Sequence, residues 1–513
     1  MTWRLQQKLC SADDAARLIE SGQTVVSGGF VGAAHPESLT AAIERRFHRE
    51  GQPRGLTLVY AAGQGDGRTR GLNHLAHDGL VRRVIGGHWG LAPNLGRLAI
   101  HERIEAYNFP QGVVCHLLRD IAAGRPGCIT RVGLNTFIDP AVRGGRLNES
   151  TPTGLVERVT LGGETFLWYK AFPVHVGLIR ATAADRFGNL LMDREAVVGE
   201  VLPIAQAVHN CGGTVIAQVA ELRDDAAPPH QVRVPGMLVD RIVVAEADEH
   251  DQTFAERDNP DYCRAGEPAV TLTAMPQSVR RVIASRACDE LRPGDIANLG
   301  IGLPEGIARV AAERGMLDQV TLTVESGPIG GVPAGGLSFG ASLHPQAIID
   351  QPAQFDFYDG GGLDFAAVGA AQVDSAGNVN VSRFGERVAG VGGFVNITQG
   401  AKRLVFCGGF TAGDAEYEIA EGRLKIVRDG ATTKFPRHVE QVSFSAAEAR
   451  RRGQPVLYVT ERAVFRLGEH GLELIEVAPG VDLQRHILNR MDFMPRVVDP
   501  RPMRSEHFLE SGR

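Results

Sequence analysis

The stretch Glu20-Ser21-Gly22-Gln23-Thr24-Val25-Val26-Ser27-Gly28-Gly29-Phe30-Val31-Gly32, followed by Pro36-Glu37 and Ser38-Leu39-Thr40-Ala41-Ala42-Ile43-Glu44, is written a second time in this chain. The second copy reads Arg292-Pro293-Gly294-Asp295-Ile296-Ala297-Asn298-Leu299-Gly300-Ile301-Gly302, then Pro304-Glu305 and Gly306-Ile307-Ala308-Arg309-Val310-Ala311-Ala312-Glu313. Each copy is a turn glycine, a short apolar strand, a glycine loop and a helix opened by Pro-Glu. Proline suits the first helical turn, where its missing N–H has no partner to lose. A strand, a glycine loop and a helix N-terminus in succession leave backbone N–H groups where anionic oxygen can meet them.

Three further blocks keep the same order. Leu56–Gly63 corresponds to Val320–Gly327, Asp185-Arg186-Phe187-Gly188-Asn189 to Asp374-Ser375-Ala376-Gly377-Asn378, and Thr214–Ala217 to Arg403–Phe406. Pro36 to Asp185 spans 149 residues and Pro304 to Asp374 spans 70, so the first half carries an insertion of roughly 80 residues, placed around 86–175. Val-, Ile- and Leu-rich strands alternating with helical segments predict mostly parallel sheets covered by helices. The expected fold is α/β: two related open α/β domains, at 1–260 and 261–500, with β-hairpin elements near the C-terminus. Glu416–Ile419 and Arg423–Val427 flank a Glu421-Gly422 turn, and Val456–Val459, Ala463–Leu467 and Leu472–Glu476 form a meander. Residues 501–513 are poor in apolar side chains and read as a mobile tail. Ser11-Ala12-Asp13-Asp14 and Ser445-Ala446-Ala447-Glu448 read as capped helix starts.

Composition narrows the function classes. The 513 residues carry a formal net charge of −6, without the basic excess of a nucleic-acid binder. No run approaches 18 apolar residues, so no membrane span is expected, and the N-terminus lacks the apolar stretch of a secretory signal. Seven scattered cysteines, none in a C-x-x-C pair, point to reduced thiols and a cytoplasmic protein. The 62 glycines are about 12% of the chain against a usual value of about 7%.

Those glycines crowd one block. Val320–Val324 alternates as a strand should, and directly after it Glu325 is followed by Gly327, Gly330, Gly331, Gly335 and Gly336 with Pro328 and Pro333. Ligands bind beyond the carboxyl ends of parallel strands. A glutamate there, ringed by glycines, can be approached closely; the alternative is a loop carboxylate that caps a helix. The first half has Ala61 at the aligned position, so whatever Glu325 does, one half does it. The same block holds Gly336-Leu337-Ser338-Phe339-Gly340, a formal G-x-S-x-G, but Pro333-Ala334-Gly335-Gly336 makes no strand before Ser338, as a serine hydrolase would need. Two glycine pairs, Gly28-Gly29 and Gly392-Gly393, could aim N–H groups at a developing oxyanion, or could simply be tight turns. Gly361 and Gly362 sit in a similar loop. His74 and His77 lie three apart without H-E-x-x-H or a carboxylate at zincin spacing, so no metal is expected.

Taken together, Val25–Gly32 with Pro36-Glu37, Asn298–Pro304, and Glu325-Ser326-Gly327-Pro328-Ile329-Gly330-Gly331-Val332-Pro333-Ala334-Gly335-Gly336 resemble the family I coenzyme A transferases, in particular the single-chain acetate/propionate and 3-oxoacid type. Asp359–Asp364, Asp374–Asn380 and Gly390–Phe394 continue the likeness, which runs from about residue 10 to 495. The resemblance implies that Glu325 is the nucleophile of a ping-pong exchange through a glutamyl-CoA thioester. It implies that Gly392 or Gly393 contacts the oxyanion, that Gly300 and Gly302 line the CoA site, and that Gln111-Gly112 faces a carboxylate pocket. Gly28 and Gly29 join the oxyanion candidates, Gly361 and Gly362 the substrate-binding ones. Implied substrates are acyl-CoA and short-chain acids, with no cofactor beyond CoA, in a homodimer or homotetramer. Many relatives carry Asn where Ser326 and Ser38 stand, which leaves the substrate contacts open. A thioesterase on the same fold and a non-catalytic acyl-CoA-binding protein remain as alternatives.

Overall fold

The computed structural model describes residues 2–266 and 272–509. The chain divides into two compact units. One comprises Met1–Glu267 with Val324–Asp356 and Arg383–Asn396; the other comprises Pro268–Thr323, Phe357–Ser382 and Ile397–Arg513. The first boundary falls close to the expected 260, but the second half of the chain lends two excursions to the first unit. Glu325 lies in one of them, so it belongs to the unit built mainly from N-terminal residues rather than to a C-terminal domain of 261–500.

The first unit holds a run of seven parallel strands, in the spatial order Glu105–Asn108, Val81–Gly86, Leu56–Tyr60, Thr24–Ser27, Val176–Ala184, Thr214–Leu222 and Arg241–Val244. The second unit repeats the five from Leu56–Tyr60 to Arg241–Val244: Thr321–Thr323, Ile296–Leu299, Phe365–Gly369, Leu404–Cys407 and Val456–Val459, again all parallel. The likeness extends to individual hydrogen bonds. The Asp185 carboxylate accepts the N–H groups of Phe187 and Asn189 and the Asn189 amide, while Gly188 turns at φ +81°. Asp374 accepts from Ala376, Asn378 and the Asn378 amide in the same way, with Gly377 at φ +89°. In each copy the Asn side-chain oxygen then takes a distant N–H, that of Gly236 or of Ala446.

The extra segment of the first half starts earlier than 86. Val81–Gly86 and Glu105–Asn108 extend the parallel sheet, and Gly127–Thr130, Val156–Leu161 and Glu164–Lys170 form a separate antiparallel sheet. The helix Glu37–Glu50 shows how local sequence sets an element. Glu37 in its first turn and His48 and Arg49 in its last complement the helix dipole, Leu39, Ala42 and Ile43 are buried, and Gly51 ends it in the left-handed conformation at φ +66°. Ser11 and Ser445 cap their helices as expected.

The C-terminal hairpin Glu416–Ala420/Arg423–Arg428 and the strands Ala463–Gly468 and Gly471–Val477 match the sequence reading. The tail does not. Arg496–Pro502 pairs with Gly471–Val477, and Met503 and Phe508 are buried in the second unit's core; two well-placed apolar side chains suffice to anchor a segment that is polar on average. Residues 510–513 lie outside the described residues. Among the described residues no helix is long and apolar enough to cross a membrane.

Candidate active site

Glu325 is buried, in a turn two residues beyond the strand Thr321–Thr323. Two hydrogen bonds close that turn: Gly327 N–H to Val324 O at 3.0 Å and Val324 N–H to Pro328 O at 3.0 Å. Gly327 adopts φ +126°, and a Cβ there would stand 2.1 Å from the Ile349 carbonyl oxygen, so no other residue fits without moving the turn. The Ser326 hydroxyl donates to Gly340 O at 2.5 Å. Gly340 in turn accommodates Phe30, whose ring lies 5.5 Å from that of Phe339. The Glu325 segment is thereby docked on the Gly28–Gly32 loop of the same unit.

That loop leads on to a second group of residues. Val31 N–H donates to Gly63 O at 2.8 Å, and Gly63 leaves room for His88. The His88–Gly90 stretch runs beside Ala389–Gly392: Trp89 N–H donates to Ala389 O at 2.7 Å and Gly392 N–H to Gly87 O at 2.8 Å. Gln111, first residue of the helix Gln111–Ala122, donates its N–H to Gly392 O at 2.9 Å. Its side-chain Nε2 is buried without a hydrogen-bond partner. Asn108 ties the group together, donating to the carbonyls of Gly86 and Gly87 and accepting Val391 N–H at 3.1 Å. His88 is pushed down to about 4 by desolvation and then by the Arg387 charge, so its imidazole is neutral at ordinary pH.

Several expected donors are committed elsewhere. Gly28 N–H bonds Leu178 O at 3.0 Å on the neighbouring strand, and Ile204 packs where its side chain would be, so it is a sheet residue and not an oxyanion donor. Gly392 N–H is held by Gly87. Gly29 and Gly393 remain: among the described residues neither N–H has a hydrogen-bond partner. Gly112 N–H donates to Asn396 Oδ1 at 3.2 Å, and its missing Cβ admits Phe355; its role is packing. Ser338 lies in a short 3-10 turn, bonded to Thr253 Oγ1 at 2.8 Å and Glu256 Oε2 at 2.7 Å, which is no nucleophile elbow. Ser38 donates its hydroxyl to Glu249 at 2.5 Å, so the hydroxyls of Ser326 and Ser38 are both engaged within the fold.

Gly300, Gly302, Gly361 and Gly362 belong to the second unit. Gly361 and Gly362 end the helix Gln351–Asp359: their N–H groups return to Tyr358 O at 3.0 Å and Phe357 O at 2.9 Å, the Schellman pattern, and are not offered to a ligand. Gly300 N–H bonds Ala367 O at 2.8 Å; Gly302, at φ +84°, faces open space.

Sequence reasoning missed Asn108, because its partner Val391 is 283 residues away. It also missed a buried polar group at Cys115, one turn along the Gln111–Ala122 helix. Gln351 donates its N–H to Gly199 O and its side-chain amide to Cys115 Sγ, and Glu200, next to Gly199, is fully buried with neither carboxylate oxygen hydrogen-bonded. Desolvation pushes Glu200 up to about 8.

A buried glutamate on a glycine turn, an amide donor and two uncommitted backbone N–H groups in one unit form the inventory for acyl exchange. Residues 10–245 match the family model for coenzyme A transferase. The chain is 42% identical to the caffeate CoA-transferase of Acetobacterium woodii over 98% of both chains. It is 42% identical to the acetate CoA-transferase YdiF of Escherichia coli K12, covering 96% of this chain and 92% of that one. The chain belongs to the coenzyme A transferase family. A crystal structure of the acyl-CoA transferase YdiF of E. coli O157:H7, a thioester complex with CoA, matches this CoA-transferase with a TM-score of 0.93 at 39% identity, covering 99% of this chain and 98% of that one. The protein is an enzyme, an acyl-CoA:carboxylate CoA-transferase built of two fused, related halves.

Proposed function

We propose that this CoA-transferase exchanges CoA among short-chain acids, acetate, propionate and 3-oxo acids, with Glu325 as nucleophile. A carboxylate oxygen of Glu325 attacks the acyl-CoA carbonyl, and CoA thiolate leaves as the mixed acyl-glutamyl anhydride forms. The thiolate then attacks the glutamyl carbonyl; the C–O bond to the acyl group's carboxylate breaks, and a glutamyl-CoA thioester remains. A second carboxylate reverses the sequence and departs as a new acyl-CoA. Each addition makes an oxyanion, for which Gly29 and Gly393 N–H and Gln111 Nε2 are the uncommitted donors. One thioester replaces another, so no external energy is needed, and no step calls on a metal or on a cofactor beyond CoA.

The observation that carries this reading is the buried Glu325 on a turn whose glycine admits no side chain. The substrates named for the E. coli and A. woodii relatives, acetate and caffeate, and the CoA thioester in the E. coli O157:H7 structure support the reaction class. A homodimer or homotetramer in the cytoplasm completes the proposal; all seven cysteines are free thiols, as a reducing compartment keeps them.

The test is exchange from acetyl-CoA to propionate in wild type and in Glu325→Ala. Wild type turns over only when an acceptor acid is supplied. The variant loses about 10⁴-fold or more in kcat, the scale of removing a nucleophile, while CoA affinity stays within threefold. Retained exchange in the variant would remove Glu325 from the chemistry; turnover without acceptor would make the enzyme a thioesterase.

A further inference from the structure

We propose that Glu44, His48 and His77 form a binding site for a divalent transition-metal ion of the zinc class on the first unit, separate from the CoA chemistry. Their ligand atoms all lie within 4.8 Å of one another. Glu44 Oε1 stands 2.5 Å from His77 Nε2 and 3.9 Å from His48 Nε2. An ion bound at about 2.0–2.1 Å by four tetrahedral ligands places those ligands about 3.3–3.5 Å apart, so shifts of about 1 Å complete the set.

The sequence spacing of His74 and His77 showed no metal motif because the other ligands come from about 30 residues earlier. Glu44 and His48 are four apart on the helix Glu37–Glu50 and so share a face. His77 follows the short 3-10 turn Leu72–Leu75. Packing holds the rings in place: Phe47 lies 6.0 Å from His77, and His48 meets His77 edge-on at 4.6 Å. His74 supplies an outer contact, with Nδ1 at 2.5 Å from Glu44 Oε2 and Nε2 at 3.1 Å from Glu37. A ligating carboxylate oriented by a hydrogen bond on its other oxygen is the usual support of such sites.

Two imidazoles and one carboxylate suit zinc and its neighbours, not the hard cations that require all-oxygen shells. The His48 side chain is 61% exposed, which gives the ion an entry path and room for water in the fourth position. Each imidazole would ligate through Nε2 and carry its remaining proton on Nδ1. The ion would tie the last turns of the helix to the 72–77 segment.

The experiment is calorimetric titration of the untagged, chelator-stripped full chain with zinc chloride, paralleled by cobalt(II) absorption. We expect one zinc per chain, a raised thermal midpoint, and affinity at least tenfold weaker in His48→Ala and in His77→Gln. The His48 side chain makes no hydrogen bond among the described residues, so its variant keeps the fold and the exchange activity. An absence of saturable binding would overturn the proposal. So would binding that survives both substitutions, including binding that disappears only in Cys211→Ser, which would place the ion on that exposed thiol.

Discussion

Gly327→Ala is the sharpest perturbation of the turn that presents Glu325. The new Cβ would sit 2.1 Å from Ile349 O, and φ of +126° is a region L side chains rarely adopt. Relieving the clash to an ordinary contact of about 3.2 Å displaces the turn by about 1 Å, and misplacement on that scale costs about 100-fold in rate. The forced dihedral adds about 1–3 kcal/mol of strain. Gly336→Ala is the control in the same segment: φ is +60°, and nothing lies within 4 Å of its added Cβ. Its cost is about 1 kcal/mol of strain with kcat nearly unchanged. Steady-state exchange and differential scanning calorimetry on both variants separate the two contributions. A Gly327→Ala enzyme with kcat within threefold of wild type and an unshifted midpoint would refute the claim that this turn positions the nucleophile.

Two titrating groups hold a proton more tightly in the folded than in the unfolded chain, so each makes stability fall as pH rises, in its own window. The carboxylates of Glu37 and Glu44 outweigh burial and hold His74 up to about 9, so its stabilisation is complete below its unfolded value near 6.5 and is lost as pH rises through 9. The advantage of wild type over His74→Gln in urea unfolding should therefore be about 3 kcal/mol at pH 6 and shrink toward pH 9.5; a pH-independent difference would contradict the pairing. Glu200 binds a proton in the folded state that the unfolded chain releases above about 4.5. Glu200→Gln should match wild type near pH 4.5 and exceed it by about 3–5 kcal/mol above pH 8; equal stability across the range would show that Glu200 is not buried as a neutral acid.

The duplicated fold was legible because its signals are local. A turn glycine, a Pro-Glu helix start and an Asp-x-x-Gly-Asn loop each depend on neighbours in sequence, and the Asp185 and Asp374 loops match bond for bond. The turn that carries Glu325 was legible for the same reason: the glycines around it announce it. The donors were not, because the destination of an N–H is decided across the sheet. Gly28 and Gly29 look alike in sequence, yet Leu178 claims the first and leaves the second. Gly392 and Gly393 differ in the same way through Gly87. The metal-ligand cluster joins residues from two segments, and no spacing rule along one segment could reveal it. Met503 and Phe508 anchor a polar tail, which an average over the segment conceals.

Intact-protein mass spectrometry of the enzyme with propionyl-CoA and no acceptor acid, followed by peptide mapping, tests the central claim most directly. The account predicts a CoA adduct on the peptide that contains Glu325, discharged by adding acetate and absent from Glu325→Gln. An adduct on another residue, or full exchange with no adduct at any time, would contradict it.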